Sequence, residues 1–168
     1  TSRRQRQMCI RDREHVTKTV SENGEALEKF CNALKDGNSE VVEQSLNNYL
    51  KRTISIRDTL VKKQMKENFY HGILLGILGF QQNWSVSSNK ESGDGYSDIL
   101  IETEDQETGI IIEIKYAETG NLEAVSEEAL KQIEDRRYEE QLLEEGVEHI
   151  LKYGIAFYKK KCKVMAVK

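Results

Sequence analysis

The sequence predicts one α/β domain preceded by a helical extension, and three observations lead to this prediction. The length of 168 residues suits a single domain of ordinary size. Apolar residues recur at helical spacing before Trp84 and at strand spacing after it. The predicted order of three helices, three strands, a helix and two strands is typical of a sheet covered by helices.

Helical spacing predicts two helices within residues 24–52 and a third, more apolar helix over 66–81. A Gly-Asn pair interrupts the first run, and Ser39 after it is the expected N-cap of the second helix. We therefore assign residues 14–64 to the helical extension and residues 65–168 to the core of the domain.

The second half of the chain is predicted to alternate between strands and one long helix. The helix covers residues 122–145 and has an acidic outer face. The strand pattern predicts five strands, around Trp84 and over residues 96–103, 109–116, 153–158 and 162–167.

Residues 1–13 differ in composition from the rest of the chain. The stretch 3–13 holds five arginines in 11 positions and has no apolar periodicity. It resembles the translated read-through of an adapter used in preparing DNA sequencing libraries, so we expect a non-native segment outside the fold. The alternative is a natural basic arm that contacts nucleic acid.

The composition excludes several classes of protein. The net charge is −4, and residues 1–13 contribute +4, which leaves −8 for the remainder. An acidic domain is a poor non-specific binder of phosphate backbones, which argues against a DNA-coating role. The three cysteines lie far apart, so the sequence indicates neither a disulfide framework nor a zinc cluster. No apolar run is long enough to span a bilayer, and we expect a cytoplasmic protein without a membrane partner.

The third predicted strand carries the most informative pair of residues. Its apolar run is typical of a strand buried on both faces, yet Glu113 and Lys115 interrupt it and project from the same face. Burying an ionised group without compensation is costly, so such a pair indicates metal binding or catalysis. The alternative is a plain Glu–Lys ion pair at the open end of the strand.

Asp98, at the start of the preceding strand, favours the first interpretation. Two neighbouring strands would bring Asp98 beside Glu113, and their carboxylates would form a pair of hard oxygen ligands suited to Mg²⁺ or Mn²⁺. An adjacent Lys115 would act on water and on the charge of a phosphate. The pattern therefore predicts a metal-dependent phosphodiesterase.

Several linked strings resemble the PD-(D/E)XK nuclease superfamily, in the branch found C-terminal to an AAA-ATPase-like domain in many bacterial proteins. The strings are ENFYHG from Glu67, NKESGDGYSDI from Asn89, IIIEIK from Ile110, ALKQI from Ala129 and KYGIAF from Lys152. The resemblance implies a restriction-endonuclease-like αβββαβ core, a central mixed sheet flanked by helices. The proline in the superfamily's name is replaced by Ser97, a departure that is common.

The resemblance also implies a role for each site residue. Asp98 and Glu113 match the metal ligands, and Lys115 matches the catalytic lysine. Glu67 matches the glutamate of the first core helix, and Gln132 matches a helix residue that orients water or substrate. The implied activity is hydrolysis of nucleic acid, with DNA as the expected substrate, by metal-activated water attack.

Other polar residues have simpler interpretations beside the functional ones. Glu67 and His71 share a helix face and would otherwise be an exposed hydrogen-bonding pair. Asp94 fits a tight turn, and residues 159–161 fit a hairpin tip or a weak contact to DNA. Arg136 and its neighbour Arg137 are expected to form surface ion pairs.

Two alternatives to a nuclease remain open. The first is a non-catalytic regulatory or partner-binding module of an AAA-ATPase-like protein on the same fold, which the acidic net charge favours. The second is a structural α/β interaction protein in which the acidic residues are coincidental. No phosphate-binding GxxxxGK loop is present, so any ATPase-like domain is expected upstream of this sequence.

Overall fold

The structure is a computed structural model that describes residues 24–55, 63–90, 96–135 and 138–168. The predictions made for residues 1–13, for Asp94 and for residues 136–137 lie outside these ranges. At Asp98 the backbone is described and the side chain is not.

The chain forms helices first and then alternates between strands and helices. The three initial helices are α1 (Gly24–Asp36), α2 (Ser39–Thr53) and α3 (Lys63–Leu78). They precede three strands, β1 (Ser85–Lys90), β2 (Tyr96–Glu102) and β3 (Thr108–Tyr116). The remaining elements are the helices α4 (Leu122–Asp135) and α5 (Tyr138–Glu144) and the strands β4 (His149–Tyr158) and β5 (Lys161–Val167).

The five strands form one mixed sheet in the order β1-β2-β3-β4-β5. The pairs β1–β2, β2–β3 and β4–β5 are antiparallel, and only β3–β4 is parallel. A parallel pair needs a crossover, which α4 and α5 provide. This mixed sheet with flanking helices confirms the predicted α/β fold and is consistent with a restriction-endonuclease-like core.

The central strand β3 is buried on both faces, as its isoleucine run predicts. Ile110, Ile112 and Ile114 pack in the main hydrophobic core with residues of α1, α2 and α3. Ile111 belongs to a second cluster on the opposite face, which includes Ile133 of α4. Because side chains alternate along a strand, Glu113 and Lys115 share the α4 face with Ile111.

Side chains of α2 tie the helical extension to the edge of the sheet. Asn47 bonds both backbone groups of Cys162, accepting from its N–H at 2.9 Å and donating to its carbonyl at 3.2 Å. Glu43 accepts from the N–H of Val164 at 3.0 Å. These contacts satisfy backbone groups that an edge strand would otherwise expose.

One local prediction is wrong. The N-cap of α2 is Asn38 rather than Ser39, because the Asn38 side chain accepts from the N–H of Val41 at 3.2 Å. Gly37 before it adopts a positive φ of 76°, which ends α1. The helix predicted over 122–145 is helical in both of its described parts, α4 and α5, and residues 136–137 between them lie outside the described ranges. Within the described ranges, none of the helices is long and apolar enough to cross a membrane.

Candidate active site

Glu113 is the most unusual charged residue of the sheet. It is fully buried, and neither carboxylate oxygen has a hydrogen-bond partner in the described part of the chain. Leaving a buried carboxylate without partners costs several kcal/mol in typical cases, so folded proteins seldom keep one without a compensating ligand. A carboxylate in such a position is neutralised either by a bound cation or by a proton.

The sheet register places Asp98 directly opposite Glu113. The two residues are Cα partners in the antiparallel pair β2–β3. Directly opposed residues in such a pair have Cα atoms about 4.5–5.5 Å apart and belong to the same face of the sheet. Two acidic residues thus occupy neighbouring positions on the face that α4 covers.

Lys115 forms its ion pair with α4 and not with Glu113. Its Nζ lies 3.6 Å from Oε1 of Glu128, and the exposed fractions of the two side chains are 18% and 67%. The simple Glu113–Lys115 ion pair considered from the sequence is therefore absent from the described part of the structure. Glu128 was not singled out in the sequence, where the outer face of this helix was interpreted as solvated.

Glu67 approaches the same end of β3 from α3, on the opposite side of the sheet. Its Oε1 accepts a hydrogen bond from the backbone N–H of Tyr116 at 3.0 Å. Its other oxygen has no hydrogen-bond partner among the residues described. The glutamate thus lies at the C-terminal end of the strand that carries Glu113 and Lys115.

His71, one turn after Glu67, is buried, so the interpretation of these two residues as an exposed pair is wrong. The His71 Nε2 lies 3.1 Å from the hydroxyl of Ser88 on β1. The histidine therefore helps to join α3 to the edge of the sheet.

Gln132 lies on α4 one turn after Glu128, so the two residues share a face of the helix. It is half-buried, and its side-chain amide makes no hydrogen bond with the described residues. A half-buried amide without a partner is available to water or to a ligand. The spacing of Glu128 and Gln132 is the sequence signal that could have identified Glu128.

Gly154 explains how α4 comes so close to the sheet. It is the register partner of Glu113 in the parallel pair β3–β4. A Cβ at this position would lie 2.3 Å from the carbonyl oxygen of Ser126 and 2.9 Å from the backbone nitrogen of Leu130. Only glycine permits this approach of helix backbone to strand.

The residues fit a divalent cation in their chemistry. Glu113 supplies buried carboxylate oxygens without protein partners, and Asp98 is its cross-strand neighbour. Hard oxygen ligands of this type suit Mg²⁺ or Mn²⁺. Among the side chains that the structure describes, which exclude that of Asp98, no three His, Cys, Asp or Glu residues are grouped closely enough to hold a metal.

Comparison with known proteins agrees with this geometry. The family model of the PD-(D/E)XK nuclease superfamily matches residues 65–167, a span that includes most of α3, the whole sheet, α4 and α5. No curated protein matches the chain. The matched span covers more than half of the sequence, and the chain therefore belongs to the PD-(D/E)XK nuclease superfamily.

Proposed function

We propose that this nuclease-like domain hydrolyses phosphodiester bonds of nucleic acid, with DNA as the expected substrate, and that it requires Mg²⁺ or Mn²⁺. The observation that carries the proposal is the buried carboxylate of Glu113, which has no partner in the described chain and lies opposite Asp98. The superfamily to which the chain belongs consists mainly of nucleases.

Asp98 and Glu113 would hold the cation. When bound, a divalent cation lowers the pKa of water and neutralises negative charge on a phosphate. The protein contributes the carboxylate of Glu113, which is shielded from solvent on the buried central strand. This environment favours the binding of a cation. Glu113 would thereby gain a partner that compensates the cost of its burial.

Three further residues would act on water and on the phosphate. Lys115 carries a positive charge at the same end of β3 and would stabilise charge that develops on the phosphate. Glu67 has one carboxylate oxygen fixed by the N–H of Tyr116 and a second one that would orient water. Gln132 would donate a hydrogen bond from α4 to water or substrate.

A second candidate function is a non-catalytic regulatory or partner-binding module of an AAA-ATPase-like protein. The net charge of −4 favours it, because an acidic surface repels phosphate backbones at a distance. This candidate predicts a folded domain that cleaves no nucleic acid.

The deciding experiment is a cleavage assay with the purified chain. The substrates are single-stranded, duplex and branched DNA and the matching RNAs, each with Mg²⁺, with Mn²⁺ or with EDTA. An Asp98→Asn variant is assayed in parallel, and calorimetry measures the binding of each metal to both proteins.

We expect metal-dependent cleavage by the wild type and loss of both cleavage and metal binding in Asp98→Asn. Equal activity of the two proteins would indicate a contaminating nuclease and contradict the proposal. Metal binding without cleavage of any substrate would favour the regulatory module.

A further inference from the structure

Two lysines near the candidate site lie over tyrosine rings rather than beside carboxylates. The Nζ of Lys66 lies 4.5 Å from the centre of the Tyr116 ring, and the Nζ of Lys159 lies 5.0 Å from that of Tyr158. The two rings are neighbours, with centroids 6.1 Å apart and planes tilted by 41°. The lysines thus flank one pair of aromatic rings at the C-terminal ends of β3 and β4.

The side chains that pack beneath these lysines are held rigidly in place. Tyr70 of α3 is buried and stacks on Phe157, with ring centroids 4.4 Å apart and planes within 7° of parallel. Burial raises the pKa of the Tyr70 hydroxyl above its ordinary range, so the group stays protonated. It donates a 2.6 Å hydrogen bond to the carbonyl of Lys159, which adopts a positive φ of 52° at the β4–β5 turn.

The absence of carboxylate partners distinguishes Lys66 and Lys159 from several other lysines. Among the residues that the structure describes, four lysines form ion pairs with glutamate or aspartate, namely Lys35, Lys115, Lys152 and Lys163. Lys66 and Lys159 form none with the residues that the structure describes. Their charges remain available to an external anion, while the rings beneath hold them in place.

We propose that Lys66 and Lys159 form a cationic ledge that binds the sugar-phosphate backbone of the nucleic acid entering the active site. This inference rests on the proposed function for its choice of ligand. In a chain of net negative charge, phosphates are attracted only where cations are concentrated, and the ledge is such a place. Because the rings restrict the lysines before binding, less conformational entropy is lost on contact.

The ledge adjoins the Glu67 side of the candidate site. Tyr116 packs in the core on the α3 side of the sheet, whereas Glu113 and Lys115 lie on the α4 face at the same end of β3. Lys66 directly precedes Glu67 in α3, and Glu67 accepts the hydrogen bond from the N–H of Tyr116, so a nucleic acid at this end of the sheet would meet the ledge beside Glu67.

The test measures binding in EDTA, where no metal-dependent cleavage takes place. Fluorescence anisotropy follows labelled DNA and RNA oligonucleotides of one sequence, single-stranded and duplex, over a series of salt concentrations. The ledge variant is Lys66→Gln with Lys159→Gln. The charge-matched control is Lys29→Gln with Lys51→Gln, two exposed lysines of α1 and α2. An arginine version of the ledge variant restores the charge.

We expect the glutamine ledge variant to bind roughly tenfold more weakly, with the slope of log K against log salt reduced by about 2 for duplex substrates. The control and the arginine version should bind like the wild type. Equal effects of ledge and control substitutions, or no binding by the wild type, would overturn the inference. Melting temperatures verify that every variant is folded.

The nuclease proposal and the ledge proposal are tested independently of each other. Cleavage by the wild type together with unchanged binding by the ledge variant leaves the nuclease proposal intact and removes the ledge. Ledge-dependent binding without cleavage under any metal leaves the ledge and removes the nuclease activity.

Discussion

Gly154 lies beside Glu113 on the neighbouring parallel strand, and the backbone of α4 passes directly over it. The contact between Gly154 and α4 fixes how close Glu128 and Gln132 come to the acidic pair on the sheet. A glycine without a charge or a hydrogen-bonding side chain thus determines the geometry of a charged site.

Gly154→Ala should destabilise the domain and reduce cleavage. The new Cβ would meet the carbonyl of Ser126 at 2.3 Å, and α4 would have to move outward. Overpacking of this kind costs about 1–3 kcal/mol. Thermal melting measures the loss of stability, and the cleavage assay measures the loss of activity at a temperature where the variant is folded.

Gly72→Ala is the matched control for this substitution. Gly72 lies within α3, and a Cβ there would meet nothing within 4 Å. Alanine is the better helix former by about 1 kcal/mol, so this variant should be at least as stable as the wild type. A Gly154→Ala protein that melts and cleaves like Gly72→Ala would contradict the close-packing argument.

Glu113→Gln should stabilise the metal-free protein and abolish its response to metal. Glutamine keeps the shape of the side chain while removing a buried charge that has no partner in the described chain. We expect a gain of about 1 kcal/mol, or roughly 2–4 °C in melting temperature, in EDTA. Added Mg²⁺ should raise the melting temperature of the wild type and leave that of the variant unchanged.

Glu128→Gln serves as the control for Glu113→Gln. Glu128 is an exposed carboxylate that pairs with Lys115. It should keep the response to Mg²⁺. If Glu113→Gln still gained stability from Mg²⁺ to the same extent as Glu128→Gln, Glu113 would not be a ligand.

Lys115→Ala should greatly reduce cleavage while the fold and metal binding persist. Loss of a cation that stabilises charge on the phosphate typically lowers the rate by 10²–10³-fold. Removing a positive charge from beside two acidic residues should, if anything, favour the binding of a metal cation. Cleavage rates and metal calorimetry test the two halves of this prediction.

Lys152→Ala is the control for Lys115→Ala. Lys152 lies on the adjacent strand, is 15% exposed and pairs with Glu139 at 2.6 Å, so it resembles Lys115 in burial and pairing. Its loss should leave the cleavage rate close to that of the wild type. Equal losses of activity would show that the effect is structural.

The ion cluster that joins α1 to the β2–β3 turn should make stability depend on pH. The Nζ of Lys35 lies 2.8 Å from carboxylate oxygens of both Glu104 and Asp105. Hydrogen bonds from Lys35 hold the pKa values of Glu104 and Asp105 below their ordinary range, and these bonds raise the pKa of Lys35. The lowered pKa values of the two acids and the raised pKa of the lysine define the range of pH in which the cluster stabilises the fold.

Glu104 and Asp105, whose pKa values are lowered, contribute stability above about pH 4. This contribution is lost as the pH falls through their folded-state pKa values. Lys35, whose pKa is raised in the folded protein, contributes stability below about pH 10. This contribution is lost as the pH rises through the folded-state pKa of Lys35. Lys35→Met should therefore lower the melting temperature between about pH 5 and pH 9, and the difference from the wild type should shrink below pH 4. Lys29→Met, on the same helix, should show no such pH dependence.

Local patterns in the sequence were sufficient for the order of elements and for the buried central strand. The isoleucine run predicted a strand buried on both faces, and a period of two placed Glu113 and Lys115 on one face. Helix ends were less accurate, since Asn38 and Ser39 are both good N-caps and only backbone geometry selects between them.

The contacts at the candidate site depend on tertiary structure, because they join residues far apart in the chain. Glu67 bonds the N–H of Tyr116 across 49 positions, and no local pattern encodes that distance. The pairing of Lys115 with Glu128 instead of Glu113 follows from how closely α4 packs on Gly154. The sequence by itself determined which charged residues share a face, since strand periodicity is local. Packing of helix on sheet decided which of them touch and which, like Glu113, are left buried without a protein partner in the described chain.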